Sequence, residues 1–158
     1  MISYVENGNK FNFRVGAVIF DPKGERVLLH RLAHFDFWLL PGGRVEMLEG
    51  TENAIVREIR EELDEELSVD KLLQITESFF NMKDVTYHEI AFNYLLKVPQ
   101  DSLLLTIDEE FAGIEGEKYR YKWVKKSELD QLVIKPEYLK PVLKNIPKEI
   151  VHIICDER

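Results

Sequence analysis

Between Gly43 and Glu65 the chain reads GRVEMLEGTENAIVREIREELDE, which crowds Glu58, Glu61 and Glu62 into one helical turn behind a double-glycine bend. Residues three and four apart on a helix are neighbours, so Glu58 meets both Glu61 and Glu62, and Glu65 extends the row. Like charges at these spacings each cost a few tenths of a kcal/mol, and the cost adds up unless a cation sits among them. A hard divalent ion suits the place: magnesium takes oxygen ligands, uses one or two carboxylates, and leaves its other positions to water and substrate phosphates. The competing reading is a solvated acidic face eased by Arg57 and Arg60.

Local pattern gives this stretch its setting. Thr51 reads as an N-cap, and Ile55, Ile59 and Leu63 recur every four residues as a buried stripe, with the acids mainly off it. The helix is thereby anchored on its apolar side and presents carboxylates from another. Ahead of it, Trp38-Leu39-Leu40 stops at Pro41-Gly42-Gly43, where a strand gives way to a tight bend. Glycine admits close approach of backbone to a ligand, which puts the Gly43 carbonyl within reach of a metal.

The same residues resemble the signature of the Nudix hydrolases, G-x5-E-x7-R-E-U-x-E-E-x-G-U with U aliphatic. Gly43, Glu49, Arg57, Glu58, Ile59, Glu61 and Glu62 match seven of its nine specified positions. Asp64 stands where the family has Gly, and Glu65 where it has an aliphatic residue. The Gly position would serve as a left-handed helix cap, and Asp also visits that conformation at modest cost. Leu67 is the nearest residue able to take over the aliphatic burial.

The resemblance implies an α/β/α sandwich with a mixed β-sheet and hydrolysis of a diphosphate bond in a nucleoside diphosphate joined to another group. Carried over by position, it implies Mg2+, with Mn2+ as a substitute, held by Glu58, Glu62, Glu61 and the Gly43 carbonyl. It makes Arg57 an orienter paired with Glu49, and it leaves the general base open: Glu58 or Glu61 in the motif, Glu115 or Glu117 in a distal loop. Enzymes of the family acting on ADP-ribose tend to carry a proline shortly after the motif, and none occurs here from Gly42 to Val98. Those acting on dinucleoside polyphosphates tend to carry a tyrosine there, and Tyr87 lies too far along. The expected substrate is therefore a small phosphoanhydride of the nucleotide class. A non-catalytic nucleotide-sensing or protein-binding module is the alternative, disfavoured by the complete set of acids; an RNA-end hydrolase is a third reading.

The rest of the chain frames these expectations. Its 158 residues are about the size of one domain, spanning 1–158 with the motif at 43–65. A net charge of -8 speaks against general affinity for nucleic acid, while a small anion needs only local positive charge. A single Cys155 forms no internal disulfide, and neither a signal-peptide pattern nor an apolar run of membrane-spanning length is present. The expectation is a cytoplasmic protein with a small-molecule nucleotide substrate, no extended nucleic acid and no membrane partner, and with a homodimer left open.

Phe11, Phe13, Val15, Ala17 and Ile19 alternate as a strand that becomes apolar on both faces at Val18 and Phe20; Asp21-Pro22-Lys23-Gly24 then turns it into a hairpin with Val27-Leu28-Leu29. Further strands are read at 72–82, 86–98, 119–124 and 150–154. Short helices are read after Ser127, as N-cap, and from Pro136. Arg31 and Arg44 flank the bend as candidate phosphate contacts. His88 and Glu89 are candidate substrate contacts, and Trp38, Phe79, Phe80 and Tyr87 candidate base-stacking residues, each weighed against a packing role.

Overall fold

A strand apolar on both sides needs cover on two faces, and the fold supplies it. The computed structural model describes residues 1–158. Its strands are β1 (Ser3–Glu6), β2 (Asn9–Phe20), β3 (Arg26–Leu32), β4 (Ser68–Met82), β5 (Val85–Lys97), β6 (Phe111–Gly113), β7 (Gly116–Lys125) and β8 (Val151–Glu157). They form one mixed sheet in the order β6-β7-β3-β2-β5-β4-β8, with β1 beside β2. Parallel pairing joins β2 to β5 and β4 to β8, and the other pairs are antiparallel.

Helix α1 (Thr51–Leu63) covers one face through Ala54, Ile55, Ile59 and Leu63, packed on Val15, Ala17, Ile19, Leu28, Tyr94 and Trp123. The other face, with Val18, Val27, Leu29, Leu73 and Val124, is closed by Leu129, Ile134, Leu139, Val142 and Leu143. These come from a 3-10 turn (Lys126–Gln131), the segment after it and helix α2 (Leu139–Lys144). The alternation of β2 is thus divided between two cores, giving the α/β/α sandwich with a mixed sheet.

The site depends on a split in this sheet. β2 and β3 pair at Phe20 and Val27 and then part, and the Trp38–Val45 segment runs into the gap. His30 and Leu39 exchange backbone bonds of 2.9 and 2.7 Å, and Ala17, Val15 and Phe13 bond to Pro41, Gly43 and Val45 at 2.8, 3.0 and 3.0 Å. Residues 38–40 are therefore bridged to their neighbours without forming a strand of their own. Gly42 sits at φ +141°, and a Cβ there would strike the Val15 carbonyl. Gly42→Ala should cost about 3 kcal/mol through strain and clash, a fall of roughly 6–12 °C in thermal midpoint; an unchanged midpoint in a melting scan would contradict the placement of this bend.

Several local expectations are corrected. Gly50, rather than Thr51, is the N-cap of α1, because the Thr51 hydroxyl is engaged with the Tyr94 hydroxyl at 2.6 Å. Lys125 takes the cap position expected of Ser127, and the segment forms 3-10 rather than α-helix. Pro136 does not open a helix; α2 starts at Leu139 and carries Pro141 in its first turn, where a missing N–H is tolerated. Strand β4 starts at Ser68 and β8 ends at Glu157, while β1 and β6 had no legible pattern. At the end of α1, Asp64 occupies the left-handed cap (φ 56°, ψ 34°), its N–H bonded to the Arg60 carbonyl at 2.9 Å. Leu67 is buried in the core, and Glu65 accepts a bond from Ser102 Oγ at 3.0 Å instead.

Candidate active site

Arg57 organises the acidic turn. Its Nε and Nη2 grip Glu49 at 2.7 and 2.8 Å, its Nη1 donates to Glu58 at 2.9 Å and Glu61 at 3.1 Å, and Nη2 also reaches the Arg44 carbonyl at 3.1 Å. One guanidinium thereby joins the residues before the helix to two carboxylates on it. This planar fork holds Glu49 well down, at a pKa of about 2. Glu49 in turn accepts the Glu46 N–H at 2.9 Å, closing the loop ahead of α1.

Glu58 and Glu62 differ from Glu49 in their solvation. Burial raises the pKa of Glu58 against the opposing pull of Arg57. The Glu58 carboxylate lies against Gly43 so closely that a Cβ there would overlap it. Only glycine leaves this cradle open. Glu62 is only 6% exposed, and its Oε2 has no hydrogen-bond partner. Burial pushes its pKa up to about 8, with the Glu58 and Glu115 charges adding to the rise. Tyr121 lies beside it, and burial and the Glu62 charge hold that phenol well above its ordinary range.

Each candidate from the sequence can now be placed. Glu61 has a half-exposed side chain (55%), bound to Arg57. Glu58, Glu61 and Glu62 do not close into a three-carboxylate cluster as they stand, because Arg57 Nη1 lies between Glu58 and Glu61. The Gly43 carbonyl already accepts the Val15 N–H at 3.0 Å, which leaves it one lone pair. The distal acids lie in a hairpin rather than a loop. Ile114 N–H bonds the Glu62 carbonyl at 2.9 Å, which brings the β6–β7 turn and Glu115 to the end of α1, whereas Glu117 pairs with Arg120.

Other candidates are engaged with neighbouring side chains. Trp38 is buried in the core on the α2 side. Arg31 stacks on it at 5.1 Å and is held by the Phe35 carbonyl at 2.8 Å and Glu110 at 2.9 Å. Arg44 Nη1 turns to Met1 Sδ, 2.7 Å away. His88 stacks on Phe79 at 4.5 Å, and Phe80 on Tyr87 at 5.0 Å. Glu89 alone of that set faces a cleft, whose lining also includes Arg14, Gly16, Leu40, Asn93, Lys135 and Tyr138. Arg14, Asn93 and Tyr138 escaped the sequence reading because a strand pattern does not say which far segments close over it. His30 escaped it too: it is 3% exposed, stacked on Tyr119 at 5.8 Å, without a partner for either ring nitrogen. Burial and the nearby Arg14 charge press its pKa down to about 3, so it is a neutral imidazole at physiological pH.

The donor set fits a hard cation. An unpartnered, buried carboxylate oxygen on Glu62, a second, partly buried carboxylate on Glu58 and a glycine cradle suit oxygen ligation by magnesium.

A split mixed sheet holding an acid-bearing helix against a glycine bend defines a domain of the α/β/α sandwich class. The chain belongs to the Nudix family, the NUDIX domain model matching residues 10–146. Over 99 residues it is 38% identical to the nucleoside triphosphatase NudI of Escherichia fergusonii, a match covering 60% of this chain and 65% of that protein's length. Among solved structures it resembles a MutT NUDIX hydrolase from Burkholderia pseudomallei, with TM-score 0.61, 24% identity and coverage of 87% of this chain and 98% of that one. It also resembles a NUDIX hydrolase from Nitrosomonas europaea, with TM-score 0.61, 19% identity and coverage of 96% and 81%. The fold is that of these MutT-like structures. No helix in it is long and apolar enough to cross a membrane.

Proposed function

We propose that this chain hydrolyses a phosphoanhydride bond in a small nucleotide, nucleoside triphosphates first among the candidates, with magnesium held by Glu58, Glu61, Glu62 and the Gly43 carbonyl. The observation that carries this reading is the Glu62 carboxylate, buried with one oxygen unpartnered and set near a second, partly buried acid, Glu58. Leaving such a group without a counter-ion costs free energy, and a divalent cation is the partner its chemistry suits. The name of the NudI relative supports the triphosphate class.

Arg57 has the orienting part: it fixes Glu49 and keeps Glu58 and Glu61 facing the bend. A bound divalent cation would neutralise phosphate oxygens and ease deprotonation of water. Glu61, the most exposed of the motif acids, is the motif residue best placed to take that proton, and Glu115 is its distal rival. Glu117 is the weaker candidate because Arg120 already holds it.

The test is a screen of nucleoside di- and triphosphates and their conjugates, with magnesium, reading phosphate and pyrophosphate release. Magnesium-dependent release from at least one nucleotide is expected, and chelation should abolish it. No release across the panel with metal present would overturn the proposal.

A further inference from the structure

On the sheet face opposite α1, a cleft opens beside the glycine bend between β2, β5 and the segment leading into α2. Its polar groups are held in place from behind. Asn93 Nδ2 donates to the buried Gln74 Oε1 at 3.3 Å, and the Tyr138 and Ser78 hydroxyls meet at 3.2 Å. Gly16 leaves room for this arrangement, since a Cβ there would come 2.5 Å from Asn93 Oδ1.

Arg14 stands where this cleft meets the acidic turn. It lies opposite Arg44 in a backbone bridge, and the next residue, Val15, bonds the Gly43 carbonyl. Its backbone is thereby set one residue from the bond to Gly43, the glycine that cradles Glu58, while its side chain lines the cleft. Of the other arginines near the motif, Arg57 is bound to three glutamates and Arg31 to Glu110 and Trp38, Arg44 turns to Met1, and Arg60 is exposed and pairs with Glu66 away from the cleft. The Arg14 side chain donates no hydrogen bond to the protein, and its one ion pair, with Glu89, is 3.9 Å long. Charge-assisted bonds run to about 2.7–2.9 Å, so this guanidinium is held near its post but not used up.

We infer that Arg14 grips a phosphate of the substrate midway between the acidic turn and the cleft, which makes the substrate a nucleotide laid across the sheet edge with its nucleoside in the cleft. This rests on the hydrolase reading proposed above and adds to it the residue that receives the phosphate chain. A guanidinium offers two parallel donors to adjacent phosphate oxygens, and an ammonium does not. Glu89 acts against binding, because the arriving phosphate must draw Arg14 away from it.

The experiment is calorimetry with magnesium, using the four common nucleoside triphosphates carrying methylene in place of both bridging oxygens, and the matching unphosphorylated nucleosides. The wild-type protein should bind at least one analogue. Arg14→Gln should weaken that analogue about 10- to 100-fold, the worth of charge-assisted hydrogen bonds, and leave nucleoside binding and the thermal midpoint unchanged. Arg14→Lys should fall between. Glu89→Gln should tighten binding several-fold, a gain that disappears once Arg14 is Gln. Equal affinity in wild type and Arg14→Gln, or a Glu89→Gln gain that persists without Arg14, overturns the role of Arg14 and leaves the hydrolase reading standing. If the wild type binds none of the four analogues while magnesium is present, the role of Arg14 is overturned, and the hydrolase reading stands or falls separately on the phosphate-release screen.

Discussion

Glu62→Gln is expected to lower magnesium-dependent turnover by roughly a thousandfold or more, since the proposed cation contributes several kcal/mol of charge stabilisation and each 1.36 kcal/mol is tenfold in rate. The variant should fold, because glutamine fills the same space and removes a buried carboxylate with an unpartnered oxygen. Its stability should carry a signature as well. The Glu62 pKa rises from an ordinary 4.5 to about 8 on folding, so its favourable contribution is complete below about 4.5 and is lost as pH climbs through about 8. Metal-free wild-type protein should therefore lose on the order of a few kcal/mol across that window, and Glu62→Gln should flatten the slope. Glu49 works in a different window: its pKa is depressed to about 2, so its contribution holds above about 4.5 and fades only as pH falls through about 2. Magnesium affinity should weaken as pH drops below about 8, because the ligand must shed its proton first. Melting curves from below about pH 2 to above about pH 8, with and without magnesium, check both windows. Near-wild-type turnover in Glu62→Gln would remove Glu62 from the metal site.

Arg57→Lys is the second large effect, and it should resemble Arg57→Ala more than wild type. The native guanidinium makes two bonds to Glu49 while reaching Glu58, Glu61 and the Arg44 carbonyl. A lysine ammonium is a point donor on a flexible stem and cannot span those partners at once. The expected net loss is about 2 kcal/mol of stability, or about 4–8 °C in thermal midpoint, roughly the worth of one charge-assisted bond, because lysine keeps part of the ion pairing and water replaces the bonds to the more exposed partners. Turnover should fall about a hundredfold through misplacement of Glu58 and Glu61. A lysine variant with wild-type kcat and midpoint would show that Arg57 acts through charge alone and not through its fork.

How much of this was legible in the chain follows from the range of each interaction. The acidic turn and its buried stripe are set by helical period, so Glu58, Glu61 and Glu62 on one side and Ile55, Ile59 and Leu63 on the other could be read within four residues of each other. The Arg57–Glu49 pair spans eight residues and was still readable, because the family spacing marks both. The edges of elements were read less well: Thr51 looked like a cap until Tyr94, 43 residues away, was seen to hold its hydroxyl. Strands β1 and β6, four and three residues long, carry too few alternations to register as a period.

Sequence alone therefore determined the kind of site, a magnesium-suited acidic turn behind a glycine bend, because those groups are neighbours along the chain and their repulsion is local. Tertiary structure decided which charges are in water and which are not. Glu61 and Glu62 are adjacent in the chain, yet one is half exposed and the other buried, because only the second faces Tyr121 and the β6–β7 turn. It also decided that Arg31 is stacked and paired while Arg14 remains uncommitted, since burial and pairing depend on segments that meet only when the split sheet closes around residues 38–45.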